Sequence, residues 1–204
     1  MKHSTRHTLS TLALAGIIAA SSALAEDKPA TQKLDPKMEE MMKKAEAAGK
    51  PGEGHKVLDA LVGNWDAEVK SWMEPGAPPM VSKAKATVSL VMNGRFIKEE
   101  FTGDFMGKPF HGLSFTGYDN AKKKYHNVWM DDMHTAMFTS EGEVGDGGKA
   151  ITLEGTYHCP LTGEKDKAMK QVIRIISPDK HVFEMHDPSK GKDSKTMEIS
   201  YTRK

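Results

Sequence analysis

The sequence contains a single cysteine, Cys159. One thiol cannot form a disulfide within its own chain, so the fold must be stabilised by packing. Cys159 precedes Pro160 in a predicted loop. Its neighbour His158 would point to the opposite face of an extended chain, which argues against a nucleophile and base working as a pair. We therefore interpret Cys159 as a thiol without a catalytic role.

The sequence has no large excess of charge of either sign. Its formal net charge is +1, and the basic residues Lys2 and Arg6 lie in a segment that we expect to be removed. Taking these two from the 29 basic residues leaves 27 against 28 acidic residues, so the mature chain is close to −1. This balance removes any electrostatic case for nucleic acid or an anionic membrane as a partner.

The sequence has only one long uncharged apolar run, from Leu9 to Ala20. Basic residues precede the run, and Ala23-Leu24-Ala25 follows it with the small-x-small pattern that signal peptidase recognises. The run is too short to span a bilayer comfortably. We predict that residues 1–25 are a cleaved signal peptide and that the mature protein resides in the bacterial periplasm. An uncleaved anchor is the alternative, and no later segment is apolar enough to span a membrane.

Familiar catalytic motifs are absent. The sequence has no Gly-x-Ser-x-Gly, phosphate loop, dinucleotide fingerprint or paired-carboxylate motif. The histidines after the signal show no His-x-His or His-Glu-x-x-His spacing. We therefore predict no catalytic residue, and an enzyme acting on a small lipophile, such as an isomerase or hydrolase, is an alternative that we favour less.

Residues 26–54 are predicted to form a linker with one weak helix. Asp35-Pro36 is a typical helix start, because Asp caps free N–H groups and Pro fits the first turn. Good helix formers continue to Ala48, and Gly49-Lys50-Pro51-Gly52 ends the helix. Its thin methionine stripe fits a lid, a strap or a loosely held tail. A second short helix is predicted from His55 to Val62.

Residues 55–204 are predicted to form the main domain, which is rich in β-structure. From Asn64 the apolar period changes to two, which is typical of half-buried strands. Asn93-Gly94 is the strongest hairpin signal, since both positions of its turn need positive φ. We predict a single antiparallel up-and-down β-barrel of about ten strands, because closure removes the exposed edges of such a meander. A two-sheet sandwich is the alternative. The later predicted strands cover residues 81–92, 95–103, 108–118, 124–131, 135–143, 150–157, 166–177, 181–187 and 194–203.

Gly63-Asn64-Trp65 at the start of the first strand, with Arg203 near the end of the last, resembles the calycin pattern of lipocalins and fatty-acid-binding proteins. The resemblance implies that Trp65 packs across the base of the barrel and that Arg203 lies over it in a cation–π contact. We interpret this pair as a structural plug of the barrel base rather than as ligand-binding residues.

The sequence also resembles a bacterial domain-of-unknown-function family, number 1579, from about His55 to Arg203. This resemblance implies a calycin-like barrel, and it supplies no activity and no catalytic residues. The motifs that carry it are Leu61-Val62-Gly63-Asn64-Trp65, Asn93-Gly94-Arg95-Phe96, Gly112-Leu113-Ser114-Phe115-Thr116-Gly117-Tyr118-Asp119, Val128-Trp129-Met130-Asp131 and Tyr201-Thr202-Arg203.

Met130, Met133, His134 and Met137 are the metal-site candidates. Thioether and imidazole ligands together suit copper(I). The more ordinary interpretation is a strand, a turn and a strand whose methionines pack in the barrel. A haem held through one histidine also remains an alternative, because some ten-stranded barrels that this one resembles bind haem in that way.

Polar or amphipathic residues within the predicted strands are the ligand-binding candidates. Some of them would face the barrel interior and orient a ligand, and the arginines could bind a carboxylate. We predict binding of a small hydrophobic or amphipathic molecule without catalysis. A filled barrel with a structural or stress-response role is a further alternative. The cofactor and the oligomeric state are not determined. The candidates are Arg95, Tyr118, Trp129, Arg174 and Glu184.

Overall fold

The computed structural model describes residues 35–74, 76–159, 162–191 and 195–204. The predicted signal peptide, residues 1–25, and the first part of the predicted linker lie outside the described residues. Among the described helices, none has both the length and the apolar character needed to cross a bilayer.

Ten antiparallel strands form a closed barrel in which every strand pairs with its neighbours in sequence and β1 also pairs with β10. The predicted up-and-down barrel is confirmed, and closure rules out the sandwich. The strands agree with the predicted bounds to within three residues. They are β1 Gly63–Ser71, β2 Met80–Val91, β3 Phe96–Phe105, β4 Lys108–Asp119, β5 Lys124–Asp131, β6 Phe138–Gly145, β7 Ala150–Tyr157, β8 Lys167–Ser177, β9 Lys180–His186 and β10 Lys195–Arg203.

Helix α1 spans Pro36–Gly49. The Asp35 carboxylate caps it by accepting a hydrogen bond from the backbone N–H of Lys37 at 2.9 Å. None of its residues is buried, and its methionine stripe is exposed to solvent. At its C-terminus the side-chain amide of Asn120 donates to the carbonyls of Ala48 and Lys50 at 2.8 and 2.9 Å. The helix is therefore tied to the barrel at the β4–β5 turn by polar contacts and not by its apolar stripe.

Helix α2 spans Glu53–Asp59 and closes one end of the barrel. The predicted helix through Val62 is too long, because residues 60–62 form a tighter turn in which the N–H groups of Leu61 and Val62 reach back only three residues. Leu58 and Leu61 are 1% and 4% exposed and pack into the core. We call this the helix end, and we call the opposite end, where β1 finishes at Ser71, the far end.

Side chains alternate between the barrel interior and solvent along each strand. In β1, for example, Trp65 and Ala67 are buried whereas Asp66 and Glu68 are exposed. The buried hydrophobic cluster runs from α2 into the barrel. It comprises Leu58, Leu61, Trp65, Ala67, Ala84, Ala86, Val88, Ile97, Phe101, Tyr125, Ile151, Leu153, Ile199 and Tyr201.

Candidate binding site in the barrel interior

Trp65 and Arg203 lie directly opposite each other on the paired strands β1 and β10. The Arg203 guanidinium carbon is 4.2 Å from the centroid of the Trp65 ring, a cation–π distance. Arg203 also donates to the carbonyl of Val62 at 2.8 Å, and the Trp65 indole N–H donates to the carbonyl of Leu61 at 2.9 Å. These contacts fasten the turn after α2 to the last strand and help to close the helix end.

His181 is enclosed by aromatic rings beneath this pair. It meets Trp65 edge-on at 4.4 Å between ring centroids and stacks on Tyr201 at 4.2 Å. The side chain is buried, and its Nδ1 has no hydrogen-bond partner among the described residues. Burial, followed by the positive charge of Arg203, lowers the pKa of His181 to about 3. His181 is therefore neutral at physiological pH.

Glu99 places a carboxyl group inside the barrel. It alternates along β3 with buried Ile97 and Phe101, so its side chain faces inward. The hydroxyl of Tyr201 donates to one carboxylate oxygen at 3.1 Å, and the hydroxyl of Ser114 donates to the other at 3.4 Å. Burial raises the pKa of the Glu99 carboxyl, and the two hydrogen bonds oppose this effect in part. In the described part of the chain no cation forms an ion pair with Glu99.

Two further polar pairs lie on the interior face. The Ser140 hydroxyl donates to the side-chain oxygen of Gln171 at 2.8 Å, across Gly155 of the intervening strand β7. The Asn127 amide donates to the hydroxyl of Thr116 at 2.8 Å. Buried polar groups without partners are costly, so such pairing is expected. The interior is therefore mainly apolar but contains several polar side chains that are paired with one another.

An aromatic cluster lines the wall between Glu99 and the far end. Phe101, Phe110 and Trp129 lie with their ring centroids 6.1 to 6.3 Å apart. The Trp129 indole N–H donates to the carboxylate of Asp131 at 2.9 Å, which holds the ring in place. Gly112 leaves room for this ring, since a side chain there would collide with it. The Phe110 and Trp129 rings are nearly parallel, and Phe101 meets both of them edge-on, so the three rings form an apolar section of the wall.

Several side chains that face the barrel interior are nevertheless partly accessible to solvent. Ile151 and Leu153 show the contrast, because they are inward-facing and at most 1% exposed. Solvent therefore reaches the inner face of the barrel beside these accessible side chains. They include Glu99, Asn127, Trp129, Ile173, Phe183 and Met197.

Two clefts extend over the barrel wall. The larger, of about 1110 Å³, is lined from both faces of β5 to β8, with Asn127 and Ser140 from the interior and Glu141 and Glu154 from the outer surface. The interior accounts for only part of that volume. The smaller, of about 340 Å³, is lined mainly by outward-facing residues of β3 to β5, such as His111. We place the candidate site in the interior, where polar and aromatic groups converge.

The five residues predicted to bind a ligand do not come together. Trp129 faces the interior, and Tyr118 faces inward at the helix end, where it packs on His55 and Tyr125. Arg95 lies in the β2–β3 turn and donates to the carbonyl of Met92 at 3.2 Å. Arg174 and Glu184 form an outward-facing ion pair with an N–O distance of 3.2 Å, and Lys195 reaches Glu184 at 2.6 Å.

The methionine- and histidine-containing segment lies at the far end. Met133 and Met137 are 51% and 69% exposed, and Met130 points outward from β5. His134 Nδ1 is 2.8 Å from a carboxylate oxygen of Asp131. Across the described ranges, no three His, Cys, Asp or Glu side chains converge to hold a metal ion.

Sequence reasoning did not predict the interior polar group formed by Glu99, Ser114 and Tyr201. A signal was present, because Glu99 falls on the same face of β3 as Ile97 and Phe101. A carboxylate at an apolar position of a strand is unusual, since charged side chains are seldom buried without a partner. The three residues come from β3, β4 and β10, and only the closed barrel brings them together.

Comparisons with known proteins place the chain in a family without assigning a function. Residues 50–203 match the family described as "Protein of unknown function (DUF1579)". No curated protein matches the chain. The crystal structure of Rv2717c from M. tuberculosis is similar with a TM-score of 0.56 at 15% identity, covering 76% of this chain and 99% of that one, which shows a shared fold.

A second structure, of a protein with unknown function from the DUF3598 family of Nostoc punctiforme, has a TM-score of 0.32 at 15% identity. It covers 72% of this chain and 48% of that one, and at this score it carries no argument. The family match spans most of the chain and includes the entire barrel. The chain therefore belongs to the DUF1579 family of proteins of unknown function.

Proposed function

We propose that this protein binds a small amphipathic molecule inside the barrel and performs no chemistry on it. The observation that carries the proposal is the accessible surface on inward-facing side chains, above all Glu99 and Trp129. Ligand sites in proteins are typically apolar cavities with a few polar groups that fix orientation. The aromatic cluster and the Glu99–Tyr201–Ser114 group supply these two components.

The ligand enters from the far end in this proposal. Helix α2, Leu61 and the Trp65–Arg203 pair obstruct the helix end. An entering molecule passes the aromatic cluster and places its polar group near Glu99. Apolar contact of this kind contributes roughly 25 cal/mol per Å² of buried surface, which favours a ligand with a hydrophobic body.

Of the sequence-predicted binding residues, the proposal keeps Trp129 as part of the ligand wall. Tyr118 is occupied in packing against α2 and supports the closed helix end. The proposal gives Arg174 and Glu184 no part, because their side chains pair on the outer surface. Export through the signal peptide of residues 1–25 remains part of the proposal, and the ligand is then a molecule of the periplasm.

Native mass spectrometry of the mature protein, purified from its own periplasm, tests the proposal. We expect a species heavier than the bare chain, and the extra mass should leave on denaturation and identify a lipid-like ligand. Haem or copper in its place would support the metal-binding alternative. The bare mass, persisting after incubation with a lipid extract, would contradict ligand binding and favour a filled barrel.

A pair of variants places the ligand. Ser114→Phe fills the interior beside Glu99, whereas Leu113→Phe places the same new side chain on the outer face of the same strand. We expect the extra mass to be lost from the Ser114 variant and kept by the Leu113 variant. Retention by both folded variants would place the ligand outside the barrel.

A further inference from the structure

The Glu99 carboxylate has only neutral hydrogen-bond partners. The hydroxyls of Tyr201 and Ser114 are its contacts, and in the described chain no Lys, Arg or His forms an ion pair with it. Three other inward charges have a partner of opposite or ionisable type: Lys167 lies 3.1 Å from Asp187, Arg203 lies 3.4 Å from Asp179, and Asp131 lies 2.8 Å from His134. Glu99 is therefore an uncompensated carboxylate beside the accessible interior space.

The wall next to Glu99 suits a positive charge. Glu99, Ser114 and Trp129 form one row across the adjacent strands β3, β4 and β5. Strands lie about 4.8 Å apart, so the Trp129 backbone is roughly 10 Å from that of Glu99, within the length of a small ligand. Phe101 lies two residues further along β3 and contacts the Trp129 ring. Aromatic faces attract cations, and they do so more strongly where water is excluded.

These features together select among ligand head groups. An anion would be repelled by Glu99, and a neutral hydroxyl would gain only a hydrogen bond. A protonated amine would form an ion pair with Glu99 and would relieve the cost of holding an inward carboxylate without a cationic partner. Burial raises the pKa of Glu99, and this effect has the same origin as that cost.

We infer that the occupant of the barrel is an organic cation, whose protonated amine pairs with Glu99 and whose apolar body lies against Trp129 and Phe101. The inference rests on the proposed function, because it names the ligand class of the same interior site.

Calorimetric titration with octylamine, octanol and octanoate tests the inference, because the three probes share one apolar body and differ in head group. We expect the unliganded wild-type protein to bind octylamine more tightly than octanol by on the order of tenfold or more, and octanoate most weakly. In Glu99→Gln the preference for the amine over the alcohol should fall to about one. Glu100→Gln removes an outward, exposed carboxylate from the next position and should leave the preference unchanged.

The outcomes separate the two proposals. Equal binding of amine and alcohol by wild type, or a preference that survives Glu99→Gln, would overturn the cation inference while interior binding stands. Tightest binding of octanoate would overturn it in the same way. If no probe binds and the purified protein carries no extra mass, both proposals fail. Thermal unfolding of each variant, with a retained cooperative transition, shows that lost binding is not lost folding.

Discussion

The guanidinium of Arg203, near the end of the last strand, lies 4.2 Å from the centre of the Trp65 ring, near the beginning of the first strand. The two residues are also direct partners in the register that closes the barrel. The Arg203 guanidinium further donates to the carbonyls of Val62 and Pro178, at 2.8 and 2.9 Å, from two other segments. One side chain therefore joins the start of the barrel, its end and the β8–β9 turn.

Replacing Arg203 with lysine keeps the charge but removes the planar fork that serves both carbonyls and the ring. We expect Arg203→Lys to lower the free energy of unfolding by about 2 kcal/mol, from lost hydrogen bonds and a weaker cation–π contact. Urea unfolding followed by tryptophan fluorescence measures this. The matched control is Arg174→Lys in an outward ion pair, where we expect a change within about 1 kcal/mol. Equal losses in the two variants would show that the Arg203 contacts have no special weight.

Gly63 permits the close approach of Arg203. Its φ of +145° is a conformation that favours glycine, and a Cβ there would collide with the Arg203 guanidinium. We expect Gly63→Ala to destabilise the protein by about 1–3 kcal/mol, measured by urea unfolding. Gly145→Ala serves as the control, because its φ is −122° and a Cβ there meets open space. A Gly63 variant as stable as the Gly145 variant would contradict this account.

His181 should make the folded protein less stable as the pH falls into the acid range. Its pKa is about 3 in the folded protein against an ordinary value of 6.5, so the unfolded chain binds a proton first as the pH falls. The free energy of unfolding should therefore decrease from about pH 6.5 down to about pH 3, by at most about 1.4 kcal/mol per pH unit. His181→Phe should flatten this part of the urea-unfolding profile. The exposed His158→Gln should not, and a wild-type slope that persists in His181→Phe would refute the assignment.

Glu99 should make the protein less stable as the pH rises, which is opposite to the effect of His181. Burial raises its pKa above the ordinary value of 4.5, so the folded state holds the proton more tightly than the unfolded chain. The unliganded protein should therefore lose stability as the pH rises above about 4.5 and through the raised pKa. We expect Glu99→Gln to be more stable than wild type at neutral pH, with a gap that widens with pH and then levels off. Chemical unfolding from pH 4 to pH 8 measures the gap. Glu100→Gln should show no such widening, and a constant gap for Glu99→Gln would contradict the prediction.

Helix α1 should add little to the stability of the barrel. None of its residues is buried, and its methionines face solvent. A chain that begins at Lys50 should unfold within about 0.5 kcal/mol of the full protein. A chain that begins at Val62 also lacks Leu58 and Leu61, and it should lose about 2–5 kcal/mol for each of these buried leucines. A large loss in the first truncation would show that α1 packs on the barrel in solution.

The sequence alone determined the element order and the closed barrel. Alternating apolar residues and the turn at Asn93-Gly94 are local features, so they can be interpreted strand by strand. The largest deviation of a strand boundary has a physical reason. The predicted strand from residue 135 begins at Phe138, because the Asp131 carboxylate accepts hydrogen bonds from the N–H groups of Met133 and His134 and holds the segment as a turn.

Only the tertiary structure decided which polar residues meet inside the barrel. In β8, Val172 and its neighbour Gln171 are both buried, so burial preference alone cannot tell which face of that strand is interior. Arg174 therefore remained a candidate until strand pairing placed it outward against Glu184. Glu99 and Tyr201 are separated by 102 residues in sequence and meet because β10 pairs with β1 to close the barrel. Contacts between distant strands depend on register and closure, which no local pattern encodes.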